Sequence, residues 1–191
     1  MVRIMKKSGN RLEGIGERID VRLTLLEEAL GMTPGDPEIY GNWIASKAPE
    51  PEDGVPFCWD YQIKGFFKDA CSSLRRVPGT RSSKLTAFKK VIDGTVFVEQ
   101  RKIPFQLPDG AECGRCERPL RASSASGERV ALAASETVPA GTVLEFGILV
   151  MNPKDAETVR EWLDYGRLRG LFQWRNSGKG RFEWEEVESE D

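Results

Sequence analysis

The sequence predicts an α+β fold, and three observations lead there. Short segments with apolar residues at every second position recur along the chain, which is the period of a half-buried strand. Two longer segments instead place apolar residues at i, i+3, i+4 and i+7, the period of an amphipathic helix. The 191 residues hold ample Leu, Val, Ile and Phe within a hydrophobic content of 39%, and such a length suits a single domain over 1–191.

The elements follow in order. Ile19, Val21, Leu23 and Leu25 share one face of a strand over 18–26. Residues 31–56 contain Pro34, Pro37, Pro49, Pro51 and Pro56 and read as a long loop. A short helix fits at 36–46, with Asp36 as its cap and Pro37 at its first position. In a helix over 61–76, the apolar stripe is Ile63, Phe66, Phe67, Ala70, Cys71 and Leu74, and Pro78-Gly79 ends it. The basic segment Arg81–Lys90 has room for a second short helix, and 91–106 for two short strands, with Pro104 placing the second at an edge. An insertion over about 100–135 has a flexible tip, Ala-Ser-Ser-Ala-Ser-Gly, at 122–127. The most apolar strand, at 142–151, is expected to be central. A helix over 155–169 presents Val159, Trp162, Leu163 and Leu168, and a last strand at 180–187 carries Phe182 and Trp184 before an acidic tail at 185–191. Without its insertion the order is β-α-β-β-α-β. That is a ferredoxin-like (RRM-like) split βαβ core with an inserted β-hairpin arm. The fold hosts unrelated functions, so side chains must carry the functional argument.

Composition removes several chemistries. The chain has no histidine, which excludes Ser-His-Asp and Cys-His nucleophile systems and His-containing zinc catalytic sites. No apolar run is long enough to span a membrane, and Met1-Val-Arg-Ile-Met-Lys-Lys7 lacks the apolar stretch of a signal peptide. The expected location is the cytoplasm, with no membrane partner. Net charge is −2, but residues 61–131 carry 14 Lys and Arg against 7 Asp and Glu. Charge distribution decides where an anion sits, although solvated faces of opposite sign would give the same asymmetry.

Between Gly166 and Trp184 lie four glycines, five cations and two tryptophans. Glycines let a backbone approach a ligand, cations neutralise phosphate, and Trp offers a face to a base. The stretch is not a Walker loop, because no strand leads into it and no Gly-Lys-Ser/Thr opens a helix. It would contact phosphate and sugar through its backbone N–H groups, Arg175, Lys179 and Arg181, and stack a base on Trp174. The plainer reading is a tight connection with Trp174 and Trp184 in the core. Lys64 and Gly65, in the opening turn of the first helix, combine a cation with unpaired N–H groups. Arg115, Arg118, Arg121 and Arg129 surround the insertion's tip and suit an arm that orders on nucleic acid.

With the helix and loop both in view, the chain resembles the RAMP superfamily, the ferredoxin-like RNA-binding subunits of CRISPR effector complexes. Their first helix opens with a motif ending in Leu-Lys-Gly, followed by apolar residues and an Arg. Here Gln62-Ile-Lys-Gly-Phe-Phe67 stands at that point and Leu74-Arg75 follows. Their late glycine-rich loop is matched in kind by Arg175-Asn-Ser-Gly-Lys-Gly-Arg-Phe182, and the basic insertion stands where they place a hairpin against guide RNA. The small-residue turn before Lys-Gly is replaced here by Trp59-Asp-Tyr-Gln62. The chain also looks like uncharacterised proteins of phages and prophages of Gram-positive bacteria, which would make it a solitary relative.

The resemblance implies non-catalytic binding of single-stranded nucleic acid, RNA before DNA, in a basic groove between glycine loop and first helix, with no cofactor. The groove would be lined by Lys64, Gly65, Lys68, Arg75, Arg118, Arg121, Arg129, Trp174, Arg175, Asn176, Gly178, Lys179, Gly180 and Arg181. It also implies self-association along the strand, or a place among CRISPR-complex subunits. The alternative from another class is a phage-encoded protein–protein effector, such as an anti-CRISPR protein mimicking a backbone subunit. An aspartate in the loop after the first strand is catalytic in target-cleaving members, which singles out Asp36, although Asp36-Pro37 is as well read as a helix cap. Cys113-x₂-Cys116 is half of a zinc knuckle whose other half would have to be Cys58 and Cys71; their irregular spacing favours four reduced thiols and no metal.

Overall fold

The computed structural model describes residues 14–31, 56–124 and 127–187. Nine strands and three α-helices are seen there: β1 (Glu17–Leu25), β2 (Ala29–Leu30), β3 (Phe57–Trp59), α1 (Asp60–Leu74), α2 (Phe88–Thr95), β4 (Val96–Val98), β5 (Lys102–Pro104), β6 (Gly114–Ser124), β7 (Gly127–Val138), β8 (Val143–Val150), α3 (Ala156–Arg169) and β9 (Phe182–Glu186). The expected helix at 36–46 with Asp36, the N-terminal segment and residues 188–191 of the acidic tail lie outside the described residues.

The main sheet has the order β4-β8-β1-β9 with every neighbouring pair antiparallel. α1 lies in the connection from β1 to β4, and α3 in that from β8 to β9. Two β-α-β units are thus interleaved, which is the ferredoxin-like arrangement expected from the sequence. β6 and β7 form the inserted hairpin, and β2 pairs with β7 to anchor its base. β3 and β5 form a separate two-stranded ribbon.

One face of the main sheet builds the core. In β1, Ile19, Val21, Leu23 and Leu25 are buried while Arg18 and Arg22 are exposed. Register places Ile19 opposite Ile148 and Leu23 opposite Leu144, so both strands turn apolar residues to the same side. α1 and α3 cover that side: Phe67 meets Trp162 at 5.5 Å between ring centroids, and Phe66 meets Phe182 of β9 at 5.3 Å. Removing each such side chain from water contributes about 1.5–3 kcal/mol. The buried indole of Trp162 donates to the Ser82 hydroxyl at 2.9 Å. Glu161 accepts from the N–H groups of Arg81 and Ser82 and from the Ser82 hydroxyl. Polar groups at this depth are thereby paired.

Three expectations need correction. α1 starts at Asp60, so Lys64 and Gly65 lie in its second turn. Their N–H groups belong to the internal helix ladder, and the anion site expected there fails. Leu168 does not join the core and is 75% exposed; it sits five residues after Leu163, about 140° further round the helix. The buried face runs instead through Val159, Trp162, Leu163 and Gly166. The second short helix begins only at Phe88, near the end of the basic segment, and runs on to Thr95, with a single 3-10 turn at Ser82–Lys84 before it.

Two sets of measurements check this packing. A Cβ at Gly166 would overlap the Phe182 ring, whereas one at Gly65 meets nothing within 4 Å. Gly166→Ala is expected to cost about 1–3 kcal/mol in urea unfolding, and Gly65→Ala to stabilise by about 0.5–1 kcal/mol. Equal effects of the two would refute the assignment of Gly166 to packing. Burial pushes the Cys58 thiol far above its ordinary range and also raises that of Cys71. At pH 8, iodoacetamide should leave both unlabelled in the folded protein and label both in urea. Labelling of either in the folded protein as fast as Cys116 would contradict their burial.

Candidate nucleic-acid interface

The glycine-rich loop between α3 and β9 closes on itself. The Leu171 N–H donates to the Gly180 carbonyl at 2.8 Å. Gly170 and Gly180 both have positive φ, and a Cβ at either would collide with backbone of the opposite limb. The glycines therefore permit a backbone crossing. The N–H of Gly178 donates to the Arg175 carbonyl and that of Gly180 to the Glu28 carbonyl, each at 2.9 Å. These two N–H groups are already engaged, so the phosphate cradle expected of them is not formed. Gln173 donates to Leu30 and Leu26 to Arg181, stitching the loop to the segment after β1.

Carboxylates hold several of the loop's cations. Asp69 of α1 accepts from Arg169 at 2.8 Å and pairs with Arg175 at 3.1 Å. One carboxylate faces two guanidiniums, which leaves a positive charge uncompensated within that trio. The hydrogen bond that Arg169 donates to Asp69, and the charge of that carboxylate, raise the Arg169 pKa. Asn176 accepts from Arg169, and Lys179 pairs with Glu28. Arg181 is exposed, with its guanidinium lying over Gly178.

Trp174 is the exception to this internal pairing. Its φ is 56°, and that of nearby Phe172 is 66°, a left-handed conformation that is strained for bulky residues. The side chain is 40% exposed. The Arg118 guanidinium of β6 stacks on it, 4.7 Å from the ring centroid, in cation–π range. Arg118 is only 9% exposed. Its terminal nitrogen donates to the Ser135 hydroxyl at 3.2 Å, while its Nε has no partner. Trp184 is placed elsewhere, half-buried against the core, and donates to Asp164. The two tryptophans are therefore not buried together. Arg121 and Arg129 stand nearer the far end of the hairpin, opposite Val130 and Ala122.

Lys64, Lys68 and Arg75 share another face of α1, given the helical repeat. Lys64 Nζ lies 5.0 Å from the exposed Phe97 ring and donates to the Asp93 carbonyl, Lys68 pairs with the Asp93 carboxylate at 2.6 Å, and Arg75 lies over Phe88. Desolvation lowers the Lys64 pKa, with Asp93 opposing the shift. Asp69, which holds the glycine loop, is about 100° further round the helix from Lys68. Apart from Arg121 and Arg129, the expected groove residues thus fall into two groups, one where the loop meets Arg118 and one along the α1–α2 seam.

Residues absent from the sequence expectation form a third feature. The β3–β5 ribbon sets Trp59 opposite Lys102. Trp59 and Tyr61 lie nearly parallel, 14° between planes, with Arg101 over both rings and Lys102 over Phe57 and Trp59. The signal was the replacement of a small-residue turn by Trp59-Asp60-Tyr61, with Arg101-Lys102 forty residues on. The outer sheet face is poorly suited to a polyanion: Asp20, Glu145, Glu183 and Glu185 outnumber Arg18 and Arg22 on β1, β8 and β9. Among the described residues, no group of three or more Cys, Asp or Glu side chains is placed to hold a metal ion, and no helix is long and apolar enough to cross a membrane.

No family model and no curated protein matches the chain. Solved structures do. A chain of the type III-B Cmr-beta complex bound to cognate target RNA superposes with a TM-score of 0.61 at 16% identity, over 93% of this chain and 61% of that one. The present chain thus spans under two thirds of that subunit. A chain of a type IV-B CRISPR complex gives 0.50 at 14% identity, covering 92% of each, and Cmr6 from Pyrococcus furiosus gives 0.50 at 13% identity, over 90% of this chain and 98% of that one. At such identities the likeness is one of fold: the chain shares the architecture described above with these three structures.

Proposed function

We propose that this protein binds single-stranded RNA without cleaving it, at the junction of the glycine loop and the hairpin. Trp174 carries the reading. It is a large aromatic on a left-handed backbone, exposed to solvent and stacked on a guanidinium. A buried charge is costly unless paired, and Arg118 has no carboxylate partner among the described residues. A phosphate beside Arg118 would supply that charge while Trp174 takes a base. Arg175, Lys179 and Arg181 continue the positive rim on one side, and Arg121 and Arg129 continue it along the hairpin. Lys64, Lys68 and Arg75 would guide the strand along α1. Asn176, Gly178 and Gly180 shape the loop in this reading. Likeness of fold to a chain from a complex bound to target RNA supports it. Occupancy by several copies along one strand belongs to the same proposal.

Fluorescence anisotropy with a labelled 20-nucleotide RNA tests it. Affinity should fall with added salt, with a log–log slope of about −0.7 for each phosphate neutralised. Negligible affinity for RNA at low salt would contradict the proposal, as would tighter binding of DNA of the same sequence. Trp174→Ala should weaken binding about tenfold. Arg118→Met separates binding from folding: it should weaken binding and flatten the salt slope by about 0.7, yet leave stability unchanged or higher, because a buried unpaired charge is gone. Lost stability with unchanged affinity would make Arg118 a structural residue only.

A further inference from the structure

The aromatic row beside the β3–β5 ribbon has no role in the core. Trp59 and Tyr61 are absent from the side chains packed on the hydrophobic cluster. The ribbon anchors itself through its opposite face, where paired Cys58 and Ile103 are fully buried. Tyr61 is 53% exposed although it stands in the first turn of α1. The geometry around the rings is nevertheless fixed. The Trp59 N–H donates to Gln62 Oε1 at 2.7 Å, and the Asp60 N–H donates to the Arg101 carbonyl at 3.2 Å. The Asp60 carboxylate holds the Arg101 guanidinium over both rings. Lys102 adds a second cation 5.7 Å from the Trp59 ring centroid.

We propose that Trp59 and Tyr61 form a stacking platform for one unpaired nucleobase of a bound RNA strand, with Arg101 and Lys102 taking the flanking phosphates. The inference rests on the RNA-binding reading but concerns a different surface. Its chemistry is that of single-strand recognition, an aromatic face for the base with cations beside it for the backbone. Tyr61, Lys64, Lys68 and Arg75 fall on one stripe of α1, extending about 21 Å at 1.5 Å per residue. The platform therefore opens a track that the cations of the α1–α2 seam continue. Asp60 positions Arg101 and balances its charge while the site is empty.

A U-rich 20-nucleotide RNA carrying 5-iodouridine, irradiated with the full chain, tests this directly. The crosslink is expected in the tryptic peptide spanning residues 48–64, at Trp59 or Tyr61. Tyr61→Ala should weaken binding of the same RNA about tenfold, Tyr61→Phe should stay within about twofold because the ring and not the hydroxyl stacks, and Lys102→Gln should flatten the salt slope. A ribose-phosphate strand lacking bases should bind the wild type and Tyr61→Ala alike. If Tyr61→Ala and Lys102→Gln bind as the wild type while Trp174→Ala is impaired, the platform is refuted and the RNA-binding reading stands. If the wild type binds no RNA at low salt, that reading fails and takes the platform with it.

Discussion

The two limbs of the glycine loop cross, and the candidate interface is built around that crossing. The bond from Leu171 N–H to the Gly180 carbonyl closes the loop, and Gly170 and Gly180 leave room for the backbones to pass. Once closed, the loop presents Gln173 to Leu30 and Gly180 to Glu28, which fixes it to the segment that also carries β2 and hence the base of the hairpin. Asp69 draws it from the other side onto α1 through Arg169 and Arg175. Trp174 is held between these fastenings, where the chain adopts the left-handed conformation that turns the indole toward Arg118.

This arrangement divides the molecule by charge and by polarity. One face of the β4-β8-β1-β9 sheet and the inner faces of α1 and α3 are apolar and enclosed. The outer face of the sheet is ion-paired and net acidic, with Arg22 between Glu145 and Glu185. Cations gather instead at the loop–hairpin junction (Arg118, Arg175), along the α1–α2 seam (Lys64, Lys68) and at the β3–β5 ribbon (Arg101, Lys102). The three positive features surround α1, so this helix is both a core element and the axis of the candidate interface.

Much of the fold was legible in the sequence because it follows from local periodicity. Ile19, Val21, Leu23 and Leu25 announce β1, and Ile63, Phe66, Phe67, Ala70 and Cys71 announce the buried face of α1. What was not legible depends on approaches between distant segments. Nothing local distinguishes a glycine that admits phosphate from one that admits the backbone of its own loop, as Gly180 does. The pairing of Arg175 with Asp69, or of Lys179 with Glu28, joins residues more than a hundred positions apart, so the sequence does not show that these cations also fasten the loop. β2 and β3 are two and three residues long, too short for alternation to register. The Trp59–Tyr61 platform went unseen for the same reason, since only the β3–β5 register brings Arg101 and Lys102 to it.

Hydrogen–deuterium exchange of the full chain, with and without a saturating single-stranded RNA, shows which surface a bound strand covers. RNA is expected to slow exchange in the glycine loop at 170–181, in β6 and β7, and at the start of α1, and to leave β8 and β9 unchanged. Slowing confined to β8 and β9, on the acidic outer face of the sheet, would contradict it.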